Sequence, residues 1–192
     1  NDVKLDFSDV LIRPKRTILS SRSQVSLTRE FKFPHSTCKW TGVPVMAANM
    51  DTTGTFDVMN VLSQHNMLTC LTKFYTCADY DNNLPKCPLQ NYNGIVSTGI
   101  SGNDFTKLCD IIDWKKTLKP IDNKPILNWV CVDVANGYMQ KIVEFCQKVR
   151  ERYPDVILIA GNVATREMTE ELIINGKVDI VKVGIGPGSA CL

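Results

Sequence analysis

The chain has 192 residues, 44% of them apolar and 22% charged, enough for one sizeable domain with its own core. Twenty-two Lys and Arg against 20 Asp and Glu leave a formal charge of +2, with no block of one sign, so composition gives no footprint for nucleic acid or an anionic membrane surface. No run approaches the ~20 apolar residues that span a bilayer, and the opening NDVKLDFSDV lacks the basic and apolar regions of a signal peptide.

In chain order, residues 1–40 read as a polar leader without strand–helix rhythm. An apolar run predicts a strand at 43–48, followed by a helix over 54–64 and a second strand at 67–73. A polar, proline-containing connection covers 76–92, then strand 94–98, helix 104–114 and strand 126–134. A helix over 138–152 follows, with Met139, Ile142, Val143, Cys146 and Val149 on one face. Strand 156–160 leads to a helix over 166–174, with Thr165 as N-cap and Gly176 beyond its end. The last strand, 178–183, runs into the glycine-rich VGIGPGSACL.

Nearly continuous apolar strands alternating with helices imply an α/β protein with a parallel sheet. A doubly wound sheet and an incomplete (β/α)8 barrel compete, full barrels running to about 250 residues. Asn49 and Asp51, Lys73, Asp133 and Asn136, Asn162 and the glycine loop follow successive strands. Polar groups at the C-terminal ends of many strands suit a barrel mouth. A dinucleotide fold would place its glycine fingerprint after the first strand, which here leads into NMDTTG. The barrel is favoured, with about six of its eight strands in this chain.

Eight cysteines, at 38, 70, 77, 87, 109, 131, 146 and 191, are irregularly spaced and form no C-x-x-C. That argues against a disulfide scaffold or zinc site and for a reducing, cytoplasmic compartment. Several lie in apolar runs such as NWVCVDV and VEFCQKV, where free cysteine packs as a small hydrophobe. Cys191 differs, because it sits on the glycine loop, where it reads either as a nucleophile or as a packed thiol after a turn. Ser189 is a candidate phosphate donor or an ordinary turn serine. Lys73 and Asp133 end apolar runs, and either serve a polar cavity or form a structural salt bridge. Asn136-Gly137 is first of all a turn signal. The two histidines, His35 and His65, do not follow strands, so a base for Cys191 is not expected within this segment.

Five stretches carry a family resemblance: LDFSDVLIRPKR (5–16), AANMDTTGTF (47–56), DVANGY (133–138), AGNVAT (160–165) and KVGIGPGSAC (182–191). Together and in this order they resemble the GMP reductases of the IMP dehydrogenase/GMP reductase superfamily. The resemblance implies a (β/α)8 TIM barrel, with residues 1–192 as a single catalytic domain incomplete at its C-terminal end. It implies conversion of GMP and NADPH to IMP, ammonia and NADP+, with Cys191 attacking purine C2 to form a thioimidate. Lys73, Asp133, Val134, Ala135, Ile185 and Gly186 would contact NADPH, and Ser21 and Arg22 would reach the cofactor of a neighbouring subunit. Met50 and Ser189 would contact the nucleotide substrate, and carbonyls of Gly186, Gly188 and Cys191 would hold potassium. A homo-oligomer, usually a tetramer, is implied.

The sequence also departs from the family pattern. Leu192 stands where a threonine is expected, and the proton-transfer threonine and glutamate do not occur in these residues. NGKVDI carries an extra residue before the last strand. Six strands of an eight-stranded barrel would leave two edges and an inner core open to water. The 192 residues are therefore expected to be a fragment or ordered part of a longer protein, and to fold badly as a complete gene product. The alternatives are an IMP dehydrogenase without its regulatory insertion and a truncated, non-catalytic subunit.

Overall fold

The computed structural model describes residues 9–86, 93–118, 126 and 128–186. Six strands, β3 (Met46–Ala47), β4 (Leu68–Leu71), β5 (Gly94–Thr98), β6 (Trp129–Asp133), β7 (Ile157–Val163) and β8 (Ile180–Val183), pair in parallel and in chain order. A doubly wound sheet reverses its strand order at a switch point. Winding in one direction is instead that of a barrel, and the described residues form a half-barrel, open along β3 and β8.

Alternation along the strands creates two cores. Leu71, Val96, Val130, Val132, Leu158 and Ala160 point outward, against helices α1 (Phe56–Ser63), α3 (Asp104–Lys115) and α4 (Gln140–Arg152). Cys70, Ile95, Trp129, Cys131, Ile157 and Ile159 point into the barrel interior. The helix α5 (Arg166–Ile174) has the predicted bounds, and the hydroxyl of its N-cap Thr165 accepts from the Met168 amide at 3.4 Å. The described cysteines at 38, 70, 77, 109, 131 and 146 are free thiols.

Other expectations need correction. The connection at 76–92 contains a helix, α2 (Cys77–Asn83), followed by a 3-10 turn, Leu84–Lys86. Its composition, CADYDNN, buries only Tyr80, so no apolar period shows. The readable signal was its capping box, in which Thr76 Oγ1 and the Asp79 carboxylate satisfy each other's backbone amides. Helix α4 starts two residues late, at Gln140, leaving Met139 outside the helix and exposed. Strand β3 shrinks to Met46–Ala47, whereas β7 runs on through Gly161 and Asn162 to Val163.

The leader also contains structure of its own. An antiparallel hairpin, β1 (Arg29–Lys32) and β2 (Lys39–Gly42), places Phe31 opposite Trp40. Phe33 and Trp40 both meet Trp129 edge-on, at centroid distances of 5.2 and 5.9 Å, so the hairpin closes the N-terminal end of the interior. A buried ion pair locks it there. Arg150 reaches Asp179 at 2.8 Å and donates to the carbonyls of His35, Pro154, Val156 and Lys177. Asp179 in turn accepts from the amides of His35 and Leu158 at 3.0 and 2.9 Å.

Candidate active site

The opposite end of the half-barrel is polar. Asp133 is the last residue of β6 and faces inward, in step with Trp129 and Cys131. Lys182, on β8, faces inward in step with Ile180. Asp133 pairs in register with Gly161, and Gly161 with Lys182, so the three lie in one row across three strands. A Cβ on Gly161 would lie 2.5 Å from the Lys182 carbonyl oxygen and 2.7 Å from its Cβ. Glycine is thus required for β7 and β8 to approach, and it leaves space for the flanking side chains. Across that gap Lys182 Nζ pairs with Asp133 Oδ1, and it lies 3.4 Å from Asn49 Oδ1 on the loop after β3.

The pair is half-buried, with side-chain exposures of 27% for Lys182 and 24% for Asp133. Burial raises the Asp133 carboxyl, but Lys182, Asn49 and Lys73 outweigh it and hold the group below the usual carboxylate range. Burial likewise opposes charge on Lys182, and Cys131, Asp133 and Cys70 outweigh it, so its ammonium is raised. Both groups are therefore charged at neutral pH. The interior thiol Cys70 is pushed far up, by its hydrogen bond with Cys131 and then by burial. Burial takes Cys146 to about 12. Neither offers a thiolate near neutrality.

Lys73 follows β4 at this same end and stands exposed, its carbonyl accepting from Lys107 Nζ. The structural salt bridge open to Asp133 is thus real, but Lys182 supplies the cation and Lys73 does not. Val134 is half-buried and exchanges backbone hydrogen bonds with Gly161 and Asn162, at 2.9 and 3.0 Å. Ala135 is exposed beside it. Asn136 Oδ1 accepts from the Tyr138 amide at 3.0 Å, the turn its dipeptide predicts. The Tyr138 hydroxyl donates to Thr165 Oγ1 at 3.2 Å and accepts from the Ala164 amide at 3.0 Å, tying the loop after β6 to the one after β7.

Asn162 Nδ2 donates to the Gly184 carbonyl at 3.0 Å, and the Gly184 amide to Val163 at 2.7 Å, so β7 anchors the start of the glycine loop. Ile185 and Gly186 follow exposed, Gly186 at φ 68° with no atom of the described residues within 4 Å of a Cβ built on it. Gly188, Ser189 and Cys191 lie outside the described residues. Met50 is exposed in the turn after β3, where Asp51 Oδ1 accepts from Thr72 Oγ1 at 2.9 Å. Ser21 and Arg22 sit on an exposed 3-10 turn of the leader and are not brought to the Asp133 cluster within this chain. Lys73, Asp133, Val134, Ala135, Ile185 and Gly186 do share the C-terminal edge of the sheet.

Sequence reasoning missed Lys182. Its signal was a charge inside the apolar run VDIVKV, a position that demands a partner. Among the described residues no group of three or more His, Cys, Asp or Glu side chains forms a metal site.

The IMP dehydrogenase / GMP reductase domain model matches residues 113–192. Proteins named GMP reductase are 52% identical in Buchnera aphidicola subsp. Baizongia pistaciae and 50% identical in Aeromonas hydrophila, each over 191 residues and 99% of this chain. Along 99% of its length the chain is similar to members of the IMP dehydrogenase/GMP reductase family. It spans about half the length of the curated relatives it matches, 52% in both cases. A crystal structure of inosine 5' monophosphate dehydrogenase from Legionella pneumophila superposes with a TM-score of 0.74 and 25% sequence identity. That match covers 97% of this chain and 52% of the other. The family's barrel accounts for the one-way strand order and for polar residues gathered at one end.

Proposed function

We propose that the protein is a GMP reductase, catalysing NADPH-dependent reductive deamination of GMP in purine nucleotide interconversion. The observation that carries this reading is identity of about one half, along 99% of the chain, to relatives of that name. The site chemistry supports it. An ionised, half-buried carboxylate at a strand end accepts hydrogen bonds from vicinal hydroxyls, which suits Asp133 to a cofactor ribose. The exposed ammonium of Lys73 suits a cofactor phosphate, and the open backbone at Ile185 and Gly186 admits a flat ring. Val134 and Ala135 complete that wall. NADPH supplies a hydride when bound.

In this reading the glycine loop presents Cys191 to purine C2, forming a covalent thioimidate as ammonia leaves. Thiolate departure after reduction releases IMP. Overall, GMP, NADPH and two protons give IMP, NADP+ and ammonium. Ser189 and Met50 contact the nucleotide, the former at its phosphate and the latter beneath the purine. Carbonyls of Gly186, Gly188 and Cys191 hold a potassium ion, for which the left-handed turn at Gly186 suits a loop folded around a cation. The exposed Ser21-Arg22 turn suits contact with a neighbouring subunit's cofactor in a homotetramer. Residues 1–192 then belong to one catalytic barrel domain, with 1–40 as its leader, working in the cytoplasm. No helix among the described residues is long and apolar enough to cross a membrane.

The test is nucleotide turnover by the protein expressed from its full natural gene. NADPH consumption that requires GMP, with one IMP formed per NADPH and abolished by Cys191→Ala, is the expected result. NAD+ reduction that requires IMP would replace this reading with a dehydrogenase, and binding without turnover would replace it with a non-catalytic subunit.

A further inference from the structure

Lys182 is not among the residues that family resemblance assigns to the site, yet it is the cation in contact with Asp133. Parallel strands stand about 4.8 Å apart, so residues in one row on β6 and β8 are separated by roughly twice that. A lysine stem bridges such a gap only if the residue between is small, and Gly161 is. The row Asp133–Gly161–Lys182 is therefore arranged for this contact. Holding β6 to β8 does not require it, because the backbone ladders of both with β7 already do so. Nor is the pair sealed from solvent, since about a quarter of each side chain remains exposed at the barrel mouth.

We propose that Lys182 is a positioning residue: reaching across Gly161, it fixes the direction and charge of the Asp133 carboxylate so that Asp133 receives the ribose hydroxyls of a nicotinamide cofactor. This rests on the cofactor reading above. The groups facing Asp133 are Lys182 from β8, Lys73 and Asn49 from the loops after β4 and β3, and the Cys70 and Cys131 thiols from β4 and β6. Of the two cations, Lys73 is exposed and screened by water, so it is a poor substitute for Lys182. With Lys182 removed, only Asn49 and the exposed Lys73 oppose burial, so the Asp133 carboxyl moves upward from its wild-type position. A protonated carboxyl turns one acceptor oxygen into a donor and no longer matches a diol.

The experiment measures equilibrium NADPH binding by fluorescence at about pH 8 and about pH 6. It also follows the Asp133 carboxyl carbon by NMR in the absence of nucleotide, both in the protein expressed from its full natural gene. Wild type and Lys182→Arg should bind within about threefold of each other at both pH values. Lys182→Met should bind NADPH more weakly than wild type and lose further affinity on acidification, with an upward move of the Asp133 titration in the absence of nucleotide. A part that only held the fold together would shift stability without creating this acid limb. If the methionine variant tracks wild type at both pH values, the inference is overturned while the cofactor reading stands. Wild-type protein that binds no NADPH at either pH overturns both. Should the methionine variant not fold, the arginine variant still decides: acid-sensitive binding there refutes the proposal.

Discussion

The half-barrel carries a carboxylate–cation pair at each end, and they are built differently. At the N-terminal end, Arg150 and Asp179 are sealed beneath the hairpin, and backbone carbonyls and amides from several segments take up their hydrogen bonds. At the C-terminal end, Asp133 and Lys182 have each other and Asn49, and keep part of their surface in water. Arg150 keeps only its buried Nε without a partner, and a pair so sealed and so largely bonded to backbone is closed to a ligand and holds structure. A half-exposed pair at a strand end can exchange its water for a substrate or cofactor. Burial and bonding to backbone, more than the presence of charge, separate the two roles.

Breaking the sealed pair should have the largest effect. Asp179→Ala strands the buried Arg150 guanidinium and should cost about 3–5 kcal/mol in chemical denaturation. A loss below about 1 kcal/mol would mean that water reaches the site and the contrast is false. Trp40→Ala, which removes one of the hairpin's two aromatic contacts with Trp129, should cost about 3 kcal/mol and loosen amide protection in the hairpin before the sheet. Hydrogen exchange that opens both together would show that the hairpin is not a separate plug. Further from either pair, Thr165→Ala removes the cap of α5 and should cost about 1 kcal/mol. A cost near zero would show that the bond from the Ala164 amide to the Tyr138 hydroxyl fixes that helix start without the cap.

The smallest effect concerns pH. Asp133 is depressed in the folded state, so its contribution is present above its unfolded pKa of about 3.9 and fades as pH falls below it. Lys182 is raised, so its contribution is present below its unfolded pKa of about 10.4 and fades as pH rises above it. The difference in stability between wild type and an Asp133→Asn, Lys182→Met double variant should thus be level between about pH 5 and about pH 9. A slope inside that window would mean that one member changes charge there.

Much of this layout was legible in the residues, and the gaps have physical causes. Strand 94–98 and helix 166–174 were read with their true bounds because burial and capping both speak locally. The polar helix α2 was hidden because it buries almost nothing and so shows no period. The hairpin was missed because its partner, Trp129, is nearly a hundred residues away, although the alternation of Phe31 and Phe33 hinted at a strand. Asp133 was found from its place after an apolar run. Lys182 was not, because its reason lies two strands away across a glycine that only pairing register reveals.

The most direct measurement pairs stability with NADPH affinity for Asp133→Asn in the protein expressed from its full natural gene. An unfolding free energy within about 1 kcal/mol of wild type, with NADPH binding weakened by about tenfold or more, is the predicted result. Unchanged NADPH affinity alongside a stability loss of about 3 kcal/mol would make this pair structural like Arg150–Asp179 and contradict the account.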